Sequence, residues 1–252
     1  MALTLYGIHP VLAALRARPR AVHRIMLARR AGDPAMAEIL DIAQRHRIAV
    51  DRDDNRGLSR RLGSEQHQGV LADVEPFPLA DLDDTLRACR RGDAKIFFLV
   101  LDGIQDPQNM GALIRTAVCC GVQAVLFPKD RAAPLSPAVA KASAGAIEQI
   151  RLCRVVNIAA SIRQLQQHGV WVAGCAPQAQ RTIYAFDFDC DLALVIGAEG
   201  RGLRPLTART CDELLAIPLR GAFQSLNASA AGAVALFEAL RQRHYAGVKR
   251  DA

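Results

Sequence analysis

The sequence is poor in aromatic residues, nearly devoid of lysine, and contains no long apolar run. Aromatics make up 5% of its 252 residues, which argues against a nucleic-acid-binding sheet built on stacked rings. The longest strongly hydrophobic stretch, 96–101, falls far short of the roughly 18 residues of a membrane span. The opening residues 1–7 lack a basic segment followed by an apolar one, so no secretory signal is expected. Seven cysteines (Cys89, Cys119, Cys120, Cys153, Cys175, Cys190 and Cys211) form no Cys-x-x-Cys pair, and no histidine stands at zinc-ligand spacing from two of them. A metal site is therefore not expected. The thiols read as small apolar residues of a soluble, cytoplasmic protein.

Hydrophobic residues account for 51% of the chain and charged ones for 23%. A chain of this length buries roughly 70–75% of its unfolded surface and can hold a core without cross-links. The formal charge is +7, and 28 of the 32 basic residues are arginine. That balance favours a polyanionic partner, because guanidinium forks match phosphate oxygens. Arg16, Arg18, Arg20, Arg24, Arg29 and Arg30 occur with no acid between them. Such a block is either a solvated helix end or an RNA contact, since like charges repel until a counter-charge arrives.

Short strand and helix signals alternate over residues 1–75, with helices at 9–16 and 35–46 and strands at 24–28, 48–50 and 69–74. This predicts a small α/β domain. Pro76, Pro78 and the acidic stretch 81–84 mark a linker over 76–94 that carries a short helix before Gly92. From residue 95 to 252, strand-like runs at 96–101, 124–127, 150–156, 171–174, 192–196 and 214–217 alternate with helical stretches at 107–120, 136–149, 157–168, 203–210 and 228–245. Continuous apolar strands separated by helices predict a mostly parallel sheet covered on both faces.

Ligands of open parallel sheets bind beyond the carboxyl ends of the strands. Three such ends are dense in Gly, Asn, Ser and charge: 101–111 with Arg115 one turn on, 196–203, and 217–229. The second reads Gly197-Ala198-Glu199-Gly200-Arg201-Gly202, which is not the Gly-x-Gly-x-x-Gly of a dinucleotide fold, and Glu199 inside the turn would repel a pyrophosphate. A neutral or cationic nucleoside fits better. Glycines admit the backbone close to a base, and Ile217 and Leu226 can sandwich the ring.

These three segments, taken in order, resemble the three motifs of the SpoU/TrmH family of RNA 2′-O-methyltransferases, on its bacterial 23S rRNA guanosine branch. Residues 1–75, with Tyr6-Gly7-Ile8-His9-Pro10-Val11 and His67-Gln68-Gly69-Val70, resemble the substrate-binding domain of its longer members. The resemblance implies a parallel-sheet domain with a deep trefoil knot (the SPOUT type) behind a small RNA-binding domain. It also implies S-adenosyl-L-methionine bent in the knotted loops, with contacts from Gly197, Ile217 and Leu226. Family members are homodimers with active sites near the interface, and Ala231, Ala235 and Leu236 on the final helix can serve such packing. The implied partner is a folded 23S rRNA hairpin, read by shape and backbone.

By the same resemblance the catalytic set is Asn109, Arg115, Glu199, Ser225 and Asn227. Arg115 meets the reacting ribose and its phosphate, Asn109 and Glu199 orient Arg115 or the hydroxyl, and Ser225 and Asn227 shape the loop. Each also has a plainer reading. Asp106 before Pro107 is a helix N-cap, Ser225 and Asn227 can cap the last helix, and Glu199 can be a solvated turn carboxylate. Asn109 and Arg115, six residues apart, do not share one helical face if both are helical, and converge only if Asn109 lies in the loop or a partner subunit supplies one of them. His9 and His67 read first as satisfied domain histidines.

Overall fold

A glycine in a left-handed turn opens the first helix: Gly7, at φ 90°, lets the chain leave β1 (Leu3–Tyr6) and enter α1 (Ile8–Ala17). The computed structural model describes residues 2–28, 34–220 and 225–245. After α1 come β2 (Val22–Ala28), α2 (Pro34–His46), β3 (Ala49–Asp53), α3 (Asn55–Leu62) and β4 (Val70–Val74). The four strands lie in the order β1-β4-β2-β3, and β2 with β3 forms the parallel pair, joined through α2. Helix α3, absent from the sequence expectation, is set by local chemistry. Asp54 accepts the Gly57 amide at its start, and Gly63 at φ 72° ends it.

His67 is 4% exposed and fully bonded. Its Nδ1 accepts the Gly69 amide at 3.0 Å, which puts the ring proton on Nε2, 3.0 Å from the Ser59 hydroxyl. It is a structural residue. His9 is exposed, and its side chain has no hydrogen bond among the described residues.

The arginine block receives its counter-charges from within the chain. Arg16 forms a two-pronged pair with Glu38, both bonds 2.7 Å. Arg18 grips Glu148 at 2.7 and 3.1 Å, donates to the carbonyls of Glu75 and Pro76, and lies over the Phe77 ring. Arg24 pairs with Asp51. Of the block, Arg20 alone among the described residues has no partner; Arg29 and Arg30 lie outside them.

The second unit begins with α4 (Leu82–Arg90), then β5 (Phe97–Asp102), α5 (Pro107–Cys119) and β6 (Ala124–Pro128). Residues 134–149, expected as a helix of the parallel-sheet domain, instead belong to the first compact unit with residues 1–78. The helix there stops early, as α6 (Pro137–Ala142), because Ala144 and Gly145 turn left-handed at φ 51° and 84°. Gly145 then presses against α1, where an added Cβ would stand 2.4 Å from the Ala13 Cβ and 2.9 Å from the His9 carbonyl oxygen.

The chain returns to the second unit through β7 (Arg151–Val155), α7 (Ile158–Gln167), β8 (Trp171–Cys175), β9 (Arg181–Thr182), β10 (Leu192–Gly197), α8 (Pro205–Thr210), β11 (Glu213–Ala216) and α9 (Ala228–Tyr245). Seven strands in the order β7-β6-β5-β10-β8-β11-β9 pair in parallel throughout. β5 and β10 run in register at the centre, from Leu192 opposite Phe97 to Gly197 opposite Asp102. Their side chains are essentially dry, which is why they read as unbroken apolar runs. Because every strand points the same way, the ends of β5, β10 and β11 meet on one edge of the sheet.

Helix α9 folds back onto this unit. Gly232 abuts Leu113 of α5 and Ile196 of β10, and Ala235, Leu236 and Ala239 are buried. Ala235 and Leu236 are therefore spent on the chain's own core. Its exposed large apolar residues are Val234, Phe237 and Tyr245.

Candidate functional site

The loop after β10 is folded down onto its own strand. Ala198 and Gly202 exchange amide–carbonyl hydrogen bonds of 3.1 and 2.8 Å, and Gly200 between them and Gly202 itself turn left-handed. At Gly197 an added Cβ would stand 2.2 Å from the Gly202 carbonyl carbon and 2.4 Å from the Leu203 nitrogen. Only glycine fits there. The far end of the loop is fastened to β5: Asp102, 1% exposed, accepts the Arg204 amide at 2.8 Å and its Nε at 2.6 Å, and sits 2.5 Å from Nη2.

A second set of bonds joins the three strand-end loops. Asp106 caps α5 by accepting the Asn109 amide at 3.0 Å, and Pro107 takes the first helical position, the structural role the sequence predicts. Asn109, 8% exposed, is thereby fixed in the first turn of α5. Asn227 caps α9, its Oδ1 accepting the Ser229 amide at 2.9 Å, the Ser229 hydroxyl at 2.5 Å and the Ala230 amide at 3.2 Å. Those donors fix which end of the amide is oxygen. Asn227 Nδ2 accordingly donates to Asn109 Oδ1 at 3.0 Å and to Glu199 Oε1. One side chain thus performs both the capping and the bridging that the sequence offered as alternatives. The Nδ2 of Asn109 has no partner among the described residues.

Beside this network lies a cleft of about 140 Å³. Gly197, Glu199, Ile217, Ser225 and Leu226 line it, as does Ala231 at the start of α9. So do Cys175, Ala176 and Pro177, which sequence reasoning missed. They enter because β8 lies between β10 and β11 in the sheet, an order no local pattern announces. Burial, with Cys211 close by, pushes the Cys175 thiol up to about 12, so it forms a neutral wall. Among the described lining residues Glu199 is the one with a formal charge at neutral pH. Arg115 is exposed on α5, does not line the cleft, and bonds to none of the other four predicted catalytic residues. Ser225 is exposed and makes no hydrogen bond among the described residues.

An all-parallel sheet in which the segments after β8, β10 and β11 converge on one glycine-tight cleft, preceded by a small α/β unit, defines the class of the molecule. The chain belongs to the SpoU rRNA methylase family, whose model matches residues 96–237. Residues 4–80 match the family described as RNA 2′-O ribose methyltransferase substrate binding. Its relatives include the 23S rRNA (guanosine-2′-O-)-methyltransferase RlmB of Ralstonia nicotianae, 42% identical over 95% of both chains. The protein of the same name from Escherichia coli K12 is 37% identical over 96% of this chain and all of its own. In fold the chain is similar to the SpoU methyltransferase AviRb from Streptomyces viridochromogenes, solved in complex with AdoMet. That match has a TM-score of 0.80 at 23% identity, covering 96% of this chain and 90% of that one.

Proposed function

We infer that the protein methylates the ribose 2′-hydroxyl of a guanosine in 23S rRNA, using S-adenosylmethionine. The observation that carries this reading is the Asn109–Asn227–Glu199 network beside a glycine-tight, apolar cleft. Relatives named for that reaction, matching nearly the whole chain, support it. S-adenosylmethionine brings a methyl group already activated on a sulfonium. The residues present suit it: a Cβ-free floor at Gly197, aliphatic walls at Ile217 and Leu226, and a single carboxylate with no cation among the described lining residues.

The chain itself then has to hold the sugar oxygen in line, balance the charge that grows on it, and keep water out. Asn227 tethers Glu199, whose second oxygen can accept the ribose hydroxyl, while the free Nδ2 of Asn109 offers a donor beside it. Arg115 serves as an electrostatic clamp on the sugar's phosphate and the developing alkoxide. It does not serve as a base, since a guanidinium stays protonated above roughly pH 12. On α5 it faces away from Asn109, so we assign it to the site of a second copy in a homodimer, with Val234, Phe237 and Tyr245 of α9 offering apolar surface for that contact. The placement of β11 beyond β8, with α9 returning to Ile196, supports the trefoil knot of the family. The first unit, residues 1–78 with 134–149, serves as the RNA-binding domain and the second, 79–133 with 150–252, as the methyltransferase domain; the stretch 76–94, expected as a linker, carries α4 into the second unit, and the protein works in the cytoplasm.

The test is methyl transfer to purified 23S rRNA and to tRNA, followed by nucleoside analysis. Appearance of 2′-O-methylguanosine in 23S rRNA is expected; a methylated base, or transfer confined to tRNA, refutes the reading. Arg115→Lys should keep part of the activity and Arg115→Ala should lose most of it. Wild-type rates in both would remove the clamp.

A further inference from the structure

In the first unit Arg16, Arg18, Arg24, Arg45 and Arg61 each pair with a carboxylate. Lys141 of α6 does not. Its Nζ donates at 2.7 Å to the Oε1 of Gln68, a neutral group, and stands 5.9 Å from the centre of the Tyr6 ring. The side chain is half-buried, and burial lowers its pKa with no carboxylate to oppose the shift. Taking a cation partly out of water without a counter-charge costs free energy that a neutral side chain would not.

The motifs 6–11 and 67–70 meet at this lysine. Gly7 leaves it room: an added Cβ would collide with the Lys141 Nζ and stand 2.8 Å from the Gln68 Oε1. Gln68 is aimed by its backbone, which is left-handed at φ 51°, a strained setting for a residue with a side chain. The turn is pinned by buried His67, whose Nδ1 accepts the Gly69 amide and whose carbonyl accepts the Val70 amide. Gln68 Oε1 accepts from two groups that can only donate, Lys141 Nζ and the Ile8 amide at 3.3 Å, so Nε2 is the free end of the amide. That Nε2 has no hydrogen bond among the described residues, and neither do the two remaining N–H groups of Lys141. Gln68 is exposed, so the pair presents solvent with a face of donors only.

A plainer reading makes the pair a tether between α6 and the turn. Glutamate at 68 would tether better, because it takes the Ile8 amide equally well and neutralises Lys141. Glutamine leaves the charge open and adds two donors beside it. We propose that Lys141 and Gln68 read the O6/N7 edge of a guanine in the RNA substrate. Guanine sets two acceptors side by side there, whereas adenine sets a donor beside its N7. An unpaired guanine in a loop or bulge can offer that edge to side chains. A phosphate would also accept from this face, but the charge alone would serve it, with no need of a strained Gln68 or a fixed amide end. This deepens the methyltransferase reading and rests on it. It gives the first unit a means of choosing RNA by base, and it takes the lysine from residues 134–149, outside the segment 4–80 matched to substrate binding.

The experiment uses the full chain and measures RNA KM for a 23S rRNA transcript made with guanosine and for one made with 7-deazaguanosine, which lacks the N7 acceptor. For the wild type the deaza transcript should raise KM about fivefold or more. Gln68→Glu keeps the bonds to Ile8 and Lys141, and Lys141→Met removes the ammonium. Each should raise KM for the ordinary transcript about tenfold and bring the ratio between the two transcripts down to about one. Gln68→Glu should leave the thermal midpoint at or above the wild-type value, and S-adenosylmethionine affinity should not change in either variant. A wild-type ratio near one, a ratio that survives in either variant, or an unchanged KM in Gln68→Glu overturns the guanine reader. Variants that raise both KM values alike and flatten the salt dependence place a phosphate on this face and overturn it too. Absence of RNA methylation by the wild-type protein overturns the parent reading instead.

Discussion

Removing the Arg204 side chain should loosen the cleft through a buried carboxylate. Asp102 is 1% exposed, and two of its three contacts come from the Arg204 guanidinium. Arg204→Ala leaves it with the Arg204 amide at 2.8 Å. Breaking a fully buried ion pair by deleting one partner costs about 3–5 kcal/mol. Here the Arg204 side chain is 42% exposed, so water can reach the vacated position, and the penalty falls to about 2 kcal/mol. The residues that relax to solvate Asp102 are those of the loop that closes over Gly197, so the cost appears mainly as cofactor affinity. At about 1.4 kcal/mol per decade this is roughly a 30-fold weaker Kd for S-adenosylmethionine, read by calorimetry. Asp102→Asn added to Arg204→Ala should recover part of the loss, because the uncompensated charge is gone, so the two substitutions will not add. If Arg204→Ala binds cofactor as wild type does, with the same urea midpoint, the clamp has no such role.

Gly197→Ala should abolish cofactor binding, or unseat the loop, because its methyl group meets backbone at 2.2–2.4 Å; an unchanged calorimetric titration would refute this. Asn227→Ser keeps a capping oxygen but loses both Nδ2 bonds, so it should retain thermal stability to within about 1 kcal/mol while kcat drops at least tenfold. An equal fall in stability and no change in kcat would reduce Asn227 to a cap. Burial raises the thiols of Cys175 and Cys211 to about 12, so both stay protonated and should resist iodoacetamide at pH 8.5 while exposed Cys119 is alkylated. Mass spectrometry of the native protein reads this directly, and early labelling of Cys175 would contradict it.

Much of the parallel sheet was legible because its strands are dry on both faces. The runs at 96–101 and 192–196 become the paired central strands β5 and β10, offset by no more than one residue. What periodicity cannot carry is spatial order. Nothing in residues 171–175 says that β8 lies between β10 and β11, yet that position brings Cys175, Ala176 and Pro177 into the cleft. β1, β9 and α3 escaped for local reasons. β1 and β9 are short, and α3 is largely polar, with buried positions only at Gly57 and Leu58. The expected helix 136–149 failed at Ala144-Gly145, where close approach to α1 overrides helix propensity.

The site was legible as residue types and illegible as bonds. Glu199, Asn109 and Asn227 stand far apart in sequence, and each alone is better explained by turn or cap chemistry. That plainer chemistry is what builds the site. The cap fixes the Asn227 oxygen on the helix amides, which forces its two N–H groups outward, and they fall on Asn109 and Glu199 because those residues follow the ends of the neighbouring strands β5 and β10. A helix cap by serine, threonine or aspartate would satisfy α9 equally well but would carry no second donor pair. Asparagine at 227 is therefore chosen by the site, and capping is the means by which its amide is aimed.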